Sequence, residues 1–302
     1  MGARGEQVVF HADWFHGAQF AGIYVAEAEG FYQQADIELE WRDFVFGQRP
    51  IEEMNATPAV CAIGAIEGYI FVQRRAAGHD VRAVAAMFQE SPAGYISLAS
   101  AGIRAVEDFA GRRIGVHTFA DPLFRWFLQR GKIAETDVDM RFTGDDVAQL
   151  TRGELDAMQG YATEEYLRLR TAAAGAPTRF LSFAELGFSS YSEILYVTAA
   201  QAETHPATIR RFVEVTRRGW SHAFKHPDET AALVARRAGT EADIAHIRVS
   251  LDALRPYVMP DAQAPLAPMT EAKWMAIQRA CREMGLVSEI EPADRFLWSS
   301  AP

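Results

Sequence analysis

Residues 8–41 constrain the fold of this chain more than any other stretch. Val8-Val-Phe-His11-Ala12 is a short apolar run of strand length, and it stops at Asp13 and Trp14, a charge and an indole. A helical pattern follows, with Ile23, Ala26 and Gly30 at helical spacing, and Ile37–Trp41 then resumes the alternation of a strand. The order is strand, loop, helix, strand. In open α/β sheets ligands sit in the loops after the carboxyl ends of strands. The first such loop, Asp13-Trp14-Phe15-His16-Gly17, holds side chains suited to gripping a ligand rather than filling a core.

The alternation continues along the chain. Apolar runs predict strands at Val8–Ala12, Ile37–Trp41, Val60–Gly64, Val81–Phe88, Tyr95–Ala99, Arg113–Val116, Val138–Phe142, Ala157–Gly160, Arg179–Ser182 and Ile194–Thr198. Helical patterns fill the gaps at Ala18–Gln33, Gly68–Ala77, Val106–Phe109, Pro122–Arg130, Asp145–Thr151 and Thr163–Ala173. Strands alternating with helices predict an α/β protein built on parallel-rich sheet. From Pro206 the pattern is helical almost to the end, and Pro206 and Pro227 stand where first-turn prolines belong. A chain of 302 residues with 49% apolar residues suits one large or two medium domains with ample cores. There is no repeat, low-complexity tract or flexible linker, so any division into lobes must be continuous with the secondary structure.

Charge and motif content narrow the function. With 40 acidic residues against 30 basic ones the net charge is −10, which argues against a nucleic-acid partner, because phosphate binding needs clustered Lys and Arg. No segment approaches the ~18 consecutive apolar residues of a membrane span. The chain enters its first predicted strand almost at once, with no apolar export region and no lipid-anchor cysteine before it. The expectation is a periplasmic or extracytoplasmic protein whose export signal has been removed, or a cytoplasmic one if Met1 is the native start. Cys61 and Cys281 are far apart, and Cys61 lies in an apolar run, which predicts a buried inert thiol. His11, His16 and His117 lack metal-ligand spacing, and there is no phosphate-binding loop, nucleophile elbow or His-Glu-x-x-His. No metal and no cofactor is expected.

Several strand-end segments carry candidate ligand-binding residues, each with a plain structural alternative. Trp14 offers a flat face for stacking and Asp13 a hydrogen-bond acceptor, with Phe15 and His16 beside them; the alternative is a core indole next to a turn-forming Asp. After the third strand, Gly64 leaves room for close backbone approach, and Glu67 stands near a helix N-terminus, where it either meets ligand or complements the dipole. In Gly115-Val-His117-Thr118-Phe119-Ala120-Asp121-Pro122, His117 and Thr118 are set to meet a polar edge, while Asp121 before Pro122 is also a good helix cap. These candidates are rich in acids and aromatics. With Glu164 and Glu193 added, the only nearby cation is Arg125. Such a set suits a neutral or cationic planar heterocycle with amino groups and suits a sulfonate or carboxylate poorly, since anions need cationic or N–H-rich sites.

The opening segment, with its Asp-Trp strand end, Gly22-Ile-Tyr-Val-Ala26, Gly30-Phe-Tyr32 and Ile37-Glu-Leu-Glu-Trp41, resembles the periplasmic-binding-protein-like family. That family includes formylaminopyrimidine-binding proteins, alkanesulfonate-binding proteins and fungal-type thiamine-pyrimidine synthases. Further echoes are Gly111-Arg-Arg-Ile-Gly115, Leu150-Thr-Arg-Gly-Glu-Leu-Asp156, Tyr191-Ser-Glu-Ile-Leu-Tyr-Val, Met269-Thr-Glu-Ala-Lys-Trp274 and Gly285-Leu286. Together they cover nearly the whole chain. The resemblance implies a two-lobed type II binding-protein fold, each lobe a mostly parallel sheet flanked by helices, with a two-strand hinge. Residues 1–91 and 200–302 would form one lobe, and residues 92–199, with both crossings, the other. It also implies a ligand cleft between the lobes, with Tyr161 as a second aromatic clamp facing Trp14. Glu164 would be a carboxylate beside Tyr161, and Phe188, Tyr191 and Glu193 would complete the wall. Thr163 and Glu164 are alternatively helix caps.

The synthases of that family use their own histidine as substrate, with pyridoxal phosphate on a lysine and iron near a cysteine cluster. Here Ile66 and Ile70 fall where that lysine and histidine would be, and Leu186-Gly-Phe-Ser-Ser-Tyr191 replaces the cysteine-rich stretch. The expectation is therefore a non-enzymatic solute-binding protein of an ABC-type importer. It would hold a small pyrimidine-like or thiamine-precursor-like heteroaromatic ligand and deliver it to the importer's permease. The alternatives are a cytoplasmic biosynthetic enzyme on the same scaffold and a binder of sulfonates or other small molecules.

Overall fold

A computed structural model describes residues 5–117, 120–240, 243–260 and 264–298. Its strands are β1 (Glu6–His11), β2 (Ile37–Arg42), β3 (Cys61–Gly64), β4 (Val81–Phe88), β5 (Ala93–Leu98), β6 (Arg113–Val116), β7 (Asp139–Phe142), β8 (Ala157–Tyr161), β9 (Thr178–Ser182) and β10 (Ser192–Thr198). They build two five-stranded sheets, ordered β2-β1-β3-β10-β4 and β7-β6-β8-β5-β9. The chain divides accordingly. The first unit gathers the residues up to Glu90, Ser190–Gln278 and the residues from Glu289, and the second gathers Ser91–Ser189 and Arg279–Ser288.

The two sheets are wound alike. In each, three strands pair in parallel and a fourth points the same way beyond a single antiparallel strand. The antiparallel strand is β10 in the first unit and β5 in the second, the first strand laid down after the chain enters each unit from the other. Parallel pairing requires a crossover connection, and these two strands arrive without one. The architecture is two-lobed mixed α/β, with helices flanking both sheets.

Local chemistry explains where helices fall short of their predicted lengths. The expected helix Ala18–Gln33 is a 3-10 turn at Ala18–Phe20, a helix Ala21–Ala28 and a short helix Phe31–Gln34. The break comes at Gly30, which takes the left-handed conformation at φ +69°. Val106–Phe109 is a 3-10 turn held by Asp108, whose carboxylate accepts from the Arg104 and Ala105 N–H groups. Asp146 accepts from the Ala148 N–H, delaying that helix to Ala148–Thr151. A helix at Pro50–Ala56 was not legible from periodicity; it has Pro at its first turn and Glu52 and Glu53 at its positive end. Pro206 and Pro227 do begin helices, Pro206–Ala223 and Pro227–Ala238.

Two cores support the strand ends. In the first unit Trp41 packs edge-on to Phe10 at 4.9 Å and against Tyr24 at 5.0 Å, with Phe20 and Phe212 completing the cluster. Ile209, Phe212, Thr216, Trp220 and Ala223 form the buried stripe of helix Pro206–Ala223. In the second unit Tyr95 is ringed by Phe109, Phe124, Phe127 and Phe183. Each fully buried large side chain stabilises by roughly 1.5–3 kcal/mol relative to exposure, so the loops that follow β1 and β6 leave rigid platforms. Cys61 and Cys281 are both buried, and burial pushes each thiol up to about 12, so neither is a thiolate at neutral pH.

Candidate functional site

In the first unit the carboxyl ends of β1, β2 and β3 meet the start of β10. The Ala65 N–H donates to the His11 carbonyl, and Ile66 and Ile194 exchange backbone hydrogen bonds of 3.1 and 2.8 Å. Because β10 runs antiparallel, its first residues lie at the sheet end where β1 and β3 finish. Asp13 and Glu193, distant in sequence, come within hydrogen-bonding reach of each other there. Glu67 joins them, accepting from the Ser192 hydroxyl at 2.6 Å. Its carboxylate makes no cap to the helix Gly68–Ala76 that it precedes.

Burial raises both the Asp13 and the Glu193 carboxyls above their ordinary range, and at Glu193 the Asp13 and Glu67 charges add to desolvation. Asp13 Oδ1 and Glu193 Oε2 are buried without a hydrogen-bond partner in the protein. Glu193 also sits at φ +51°, a left-handed conformation costing a side-chain-bearing residue about 1–2 kcal/mol. Charge burial and backbone strain fall on one residue, the pattern of a site held together for function.

The loops after β1 and β2 carry four aromatic rings, one of them on Trp14, the residue that follows Asp13. Trp14 lies 5.1 Å from Phe44 and 5.5 Å from Phe15, and Phe44 lies 5.1 Å from Phe46. Trp14 is 50% exposed, Phe15 53% and Phe46 65%, so ring faces are open to a partner. The loops are tied together by Gln48, which donates to the Ala12 carbonyl at 2.8 Å, and by His16, whose nitrogens lie 2.7 Å from the Tyr24 hydroxyl and 3.0 Å from Asp43.

In the second unit the matching strand ends are quieter. The His117 N–H donates to Gln159 at 2.6 Å, and Gln159 donates in turn to the Tyr95 hydroxyl. The His117 ring is largely buried with Nε2 unpartnered, and burial lowers its pKa, so it is neutral at pH 7. The Tyr161 N–H donates to Glu165 at 2.7 Å, and burial raises the Glu165 carboxyl.

The sequence candidates thus separate. Asp13, Trp14, Phe15, His16 and Glu67 gather at one sheet end of the first unit, and His117 and Tyr161 at one sheet end of the second. Thr118 lies outside the described residues. Glu164 forms a surface ion pair with Arg168 at 2.7 Å, and its half-buried neighbour Glu165 is the carboxylate that accepts from the Tyr161 N–H. A side chain added at Gly64 would strike the Tyr196 ring at 2.5 Å, so this glycine makes room for the protein's own tyrosine. Tyr191 is buried, its hydroxyl accepting from the Thr270 N–H at 2.8 Å and its ring beneath Lys273. Phe188 is buried beside Trp126, and Arg125 is engaged by Asp121 and Glu135. Sequence reasoning missed Phe44 and Phe46, although applying the strand-end rule to β2 as to β1 would have found them.

A family model described as NMT1/THI5 like matches residues 17–230. The riboflavin-binding protein RibY of Chloroflexus aurantiacus is 25% identical over 229 residues, covering 74% of this chain and 64% of that protein; part of the relative thus lies beyond the match. The 4-amino-5-hydroxymethyl-2-methylpyrimidine phosphate synthase of Legionella pneumophila is 23% identical over 246 residues, covering 78% of this chain and 75% of that protein. The fold is that of the periplasmic aliphatic sulphonate binding protein SsuA from Escherichia coli, with a TM-score of 0.71 at 16% identity over 99% of this chain and 93% of that one. Among the described residues no helix is long and apolar enough to cross a membrane. The chain belongs to the NMT1/THI5-like family.

Proposed function

We propose that this chain is the solute-binding component of an ABC-type importer, working outside the cytoplasm and holding a small planar heteroaromatic ligand of the pyrimidine or thiamine-precursor kind. One observation carries the reading: the buried, incompletely satisfied Asp13–Glu193 pair, flanked by Glu67 and by open aromatic faces on Trp14, Phe15 and Phe46. Rings stack on rings, and amino hydrogens need carboxylate acceptors. An anionic head group would meet three acids, which disfavours sulfonates even on a scaffold shared with a sulphonate-binding protein. A relative that binds riboflavin supports a heteroaromatic ligand.

Isothermal calorimetry with 4-aminopyrimidines, riboflavin and alkanesulfonates tests the reading. Aminopyrimidine binding is the expected result, and binding of alkanesulfonates alone would overturn it. The synthase relative supports a second reading, an enzyme on the same fold. Turnover of a pyrimidine precursor, or a pyridoxal absorbance on the purified chain, would favour that one.

A further inference from the structure

The two loops that carry the open rings are joined by a chain of hydrogen bonds next to those rings. His16 follows Phe15, and Asp43 precedes Phe44. His16 Nε2 lies 3.0 Å from Asp43 Oδ1, and His16 Nδ1 lies 2.7 Å from the Tyr24 hydroxyl. A carboxylate only accepts, so Nε2 carries the proton that faces Asp43. In that tautomer Nδ1 is an acceptor, and the Tyr24 O–H donates to it. The chain thus runs from helix Ala21–Ala28, through the loop after β1, to the residue that follows β2. One end is rigid: Tyr24 is buried against Phe20 and Trp41, and the His16 ring lies 5.6 Å from Trp41. The other end is open, with the Asp43 side chain 70% exposed. A pair so exposed adds little to global stability. What it fixes is the spacing of the loops on either side, where Phe15 and Phe44 meet edge to face at 5.2 Å.

We propose that His16 is a positioning residue of the ligand site. Held in one tautomer between Tyr24 and Asp43, it sets the loop of Trp14 and Phe15 against the loop of Phe44 and Phe46 before ligand arrives. Both of its ring nitrogens are engaged by the protein, so it acts on the ligand through the rings rather than through a polar contact of its own. Loops ordered in advance remove the entropy of ordering from the binding step, which raises affinity without adding a contact. This rests on the heteroaromatic reading above, in which those rings receive the ligand.

Variants of the full chain test this by calorimetry with 4-aminopyrimidine and by amide hydrogen exchange of residues 13–17 and 43–48 without ligand. His16→Ala and Asp43→Ala should each weaken binding by roughly fivefold to tenfold and speed exchange in both loops. The double variant should lose no more than either alone, because both break one contact. Asp43→Asn keeps an oxygen that accepts from Nε2–H, so it should recover most of the affinity lost in Asp43→Ala. Tyr24→Phe removes only the hydroxyl and should lose part of the affinity. A loss in His16→Ala that Asp43→Ala does not share overturns positioning in favour of direct contact with ligand. A full loss in Asp43→Asn overturns it in favour of attraction by the Asp43 charge. Unchanged exchange in His16→Ala overturns the tie between the loops. If 4-aminopyrimidine fails to bind the unmodified chain, the heteroaromatic reading falls and the affinity half of this proposal with it, while exchange still decides whether His16 orders the loops.

Discussion

The two units share one winding order, yet their equivalent sheet ends differ in chemistry. In the first unit the loops after β1 and β3 and the start of β10 bring Asp13, Glu67 and Glu193 together beside open aromatic rings. In the second, His117 and Tyr161 are anchored through their backbone N–H groups by Gln159 and Glu165. The same topology therefore places the same loops, and the side chains decide how each end is used. Each end leaves buried polar atoms without a protein partner, at some cost in stability: carboxylate oxygens of Asp13 and Glu193 in the first unit and the His117 imidazole Nε2 in the second, so the contrast between them is one of charge.

The largest effect that would sharpen this contrast is on affinity. Glu193→Ala should weaken 4-aminopyrimidine binding by roughly 30-fold or more, the scale of truncating one member of a buried charged contact. Glu165→Ala in the second unit should weaken it less than about threefold. Equal losses in calorimetry would erase the distinction between the units. Trp14→Ala comes next. Stacking of a ring on an aromatic side chain contributes about 1–3 kcal/mol, so affinity should fall by about tenfold or more while the melting temperature stays within about 2 °C, because a half-exposed indole adds little to the core.

Stability should respond to pH in opposite directions in the two units. The Asp13 and Glu193 carboxyls titrate higher in the folded chain than in the unfolded one, so the folded state binds more protons. Their contribution is present at low pH and is lost as pH rises from the ordinary carboxylate range through their raised values. Glu193→Gln should flatten that loss and raise the neutral-pH melting temperature by a few degrees, about 2–4 °C per kcal/mol for a unit of this size; a lowered melting temperature would contradict the picture of an uncompensated acid pair. His117 has the reverse sign. Its folded pKa is lowered, so the stability of its buried neutral ring is lost as pH falls from 6.5 through that lower value. His117→Gln should reduce this acid-side slope in pH-dependent denaturation, the smallest of the expected changes.

Much of the fold was legible because its signals are local. Every strand was anticipated to within a few residues, since short apolar runs bounded by turn chemistry have few other readings. The helix starts at Pro206 and Pro227 were equally plain. The break at Gly30 and the turn at Asp108 were less so, because a helical spacing continues across them and only backbone geometry and side-chain hydrogen bonds end the helix. At the site, Asp13 and Trp14 announced themselves by standing at a strand end. Glu164, the carboxylate named from the sequence, stands just before helix Glu165–Ala172 and pairs with Arg168, while its neighbour Glu165 accepts from the Tyr161 N–H.

The sequence by itself determined the order of strands and helices, the acid and aromatic inventory, and the loop that would carry Asp13 and Trp14, because each follows from spacing along the chain. Only the tertiary structure decided that Glu193 would face Asp13. That contact exists because β10 enters the first sheet antiparallel, between β3 and β4, and a pairing between residues so far apart leaves no periodicity to read. The same insertion filled the space beside Gly64 with Tyr196 and joined Glu67 to the pair through Ser192. The charged centre of the site is thus a product of strand direction, while its residues were present in the sequence from the start.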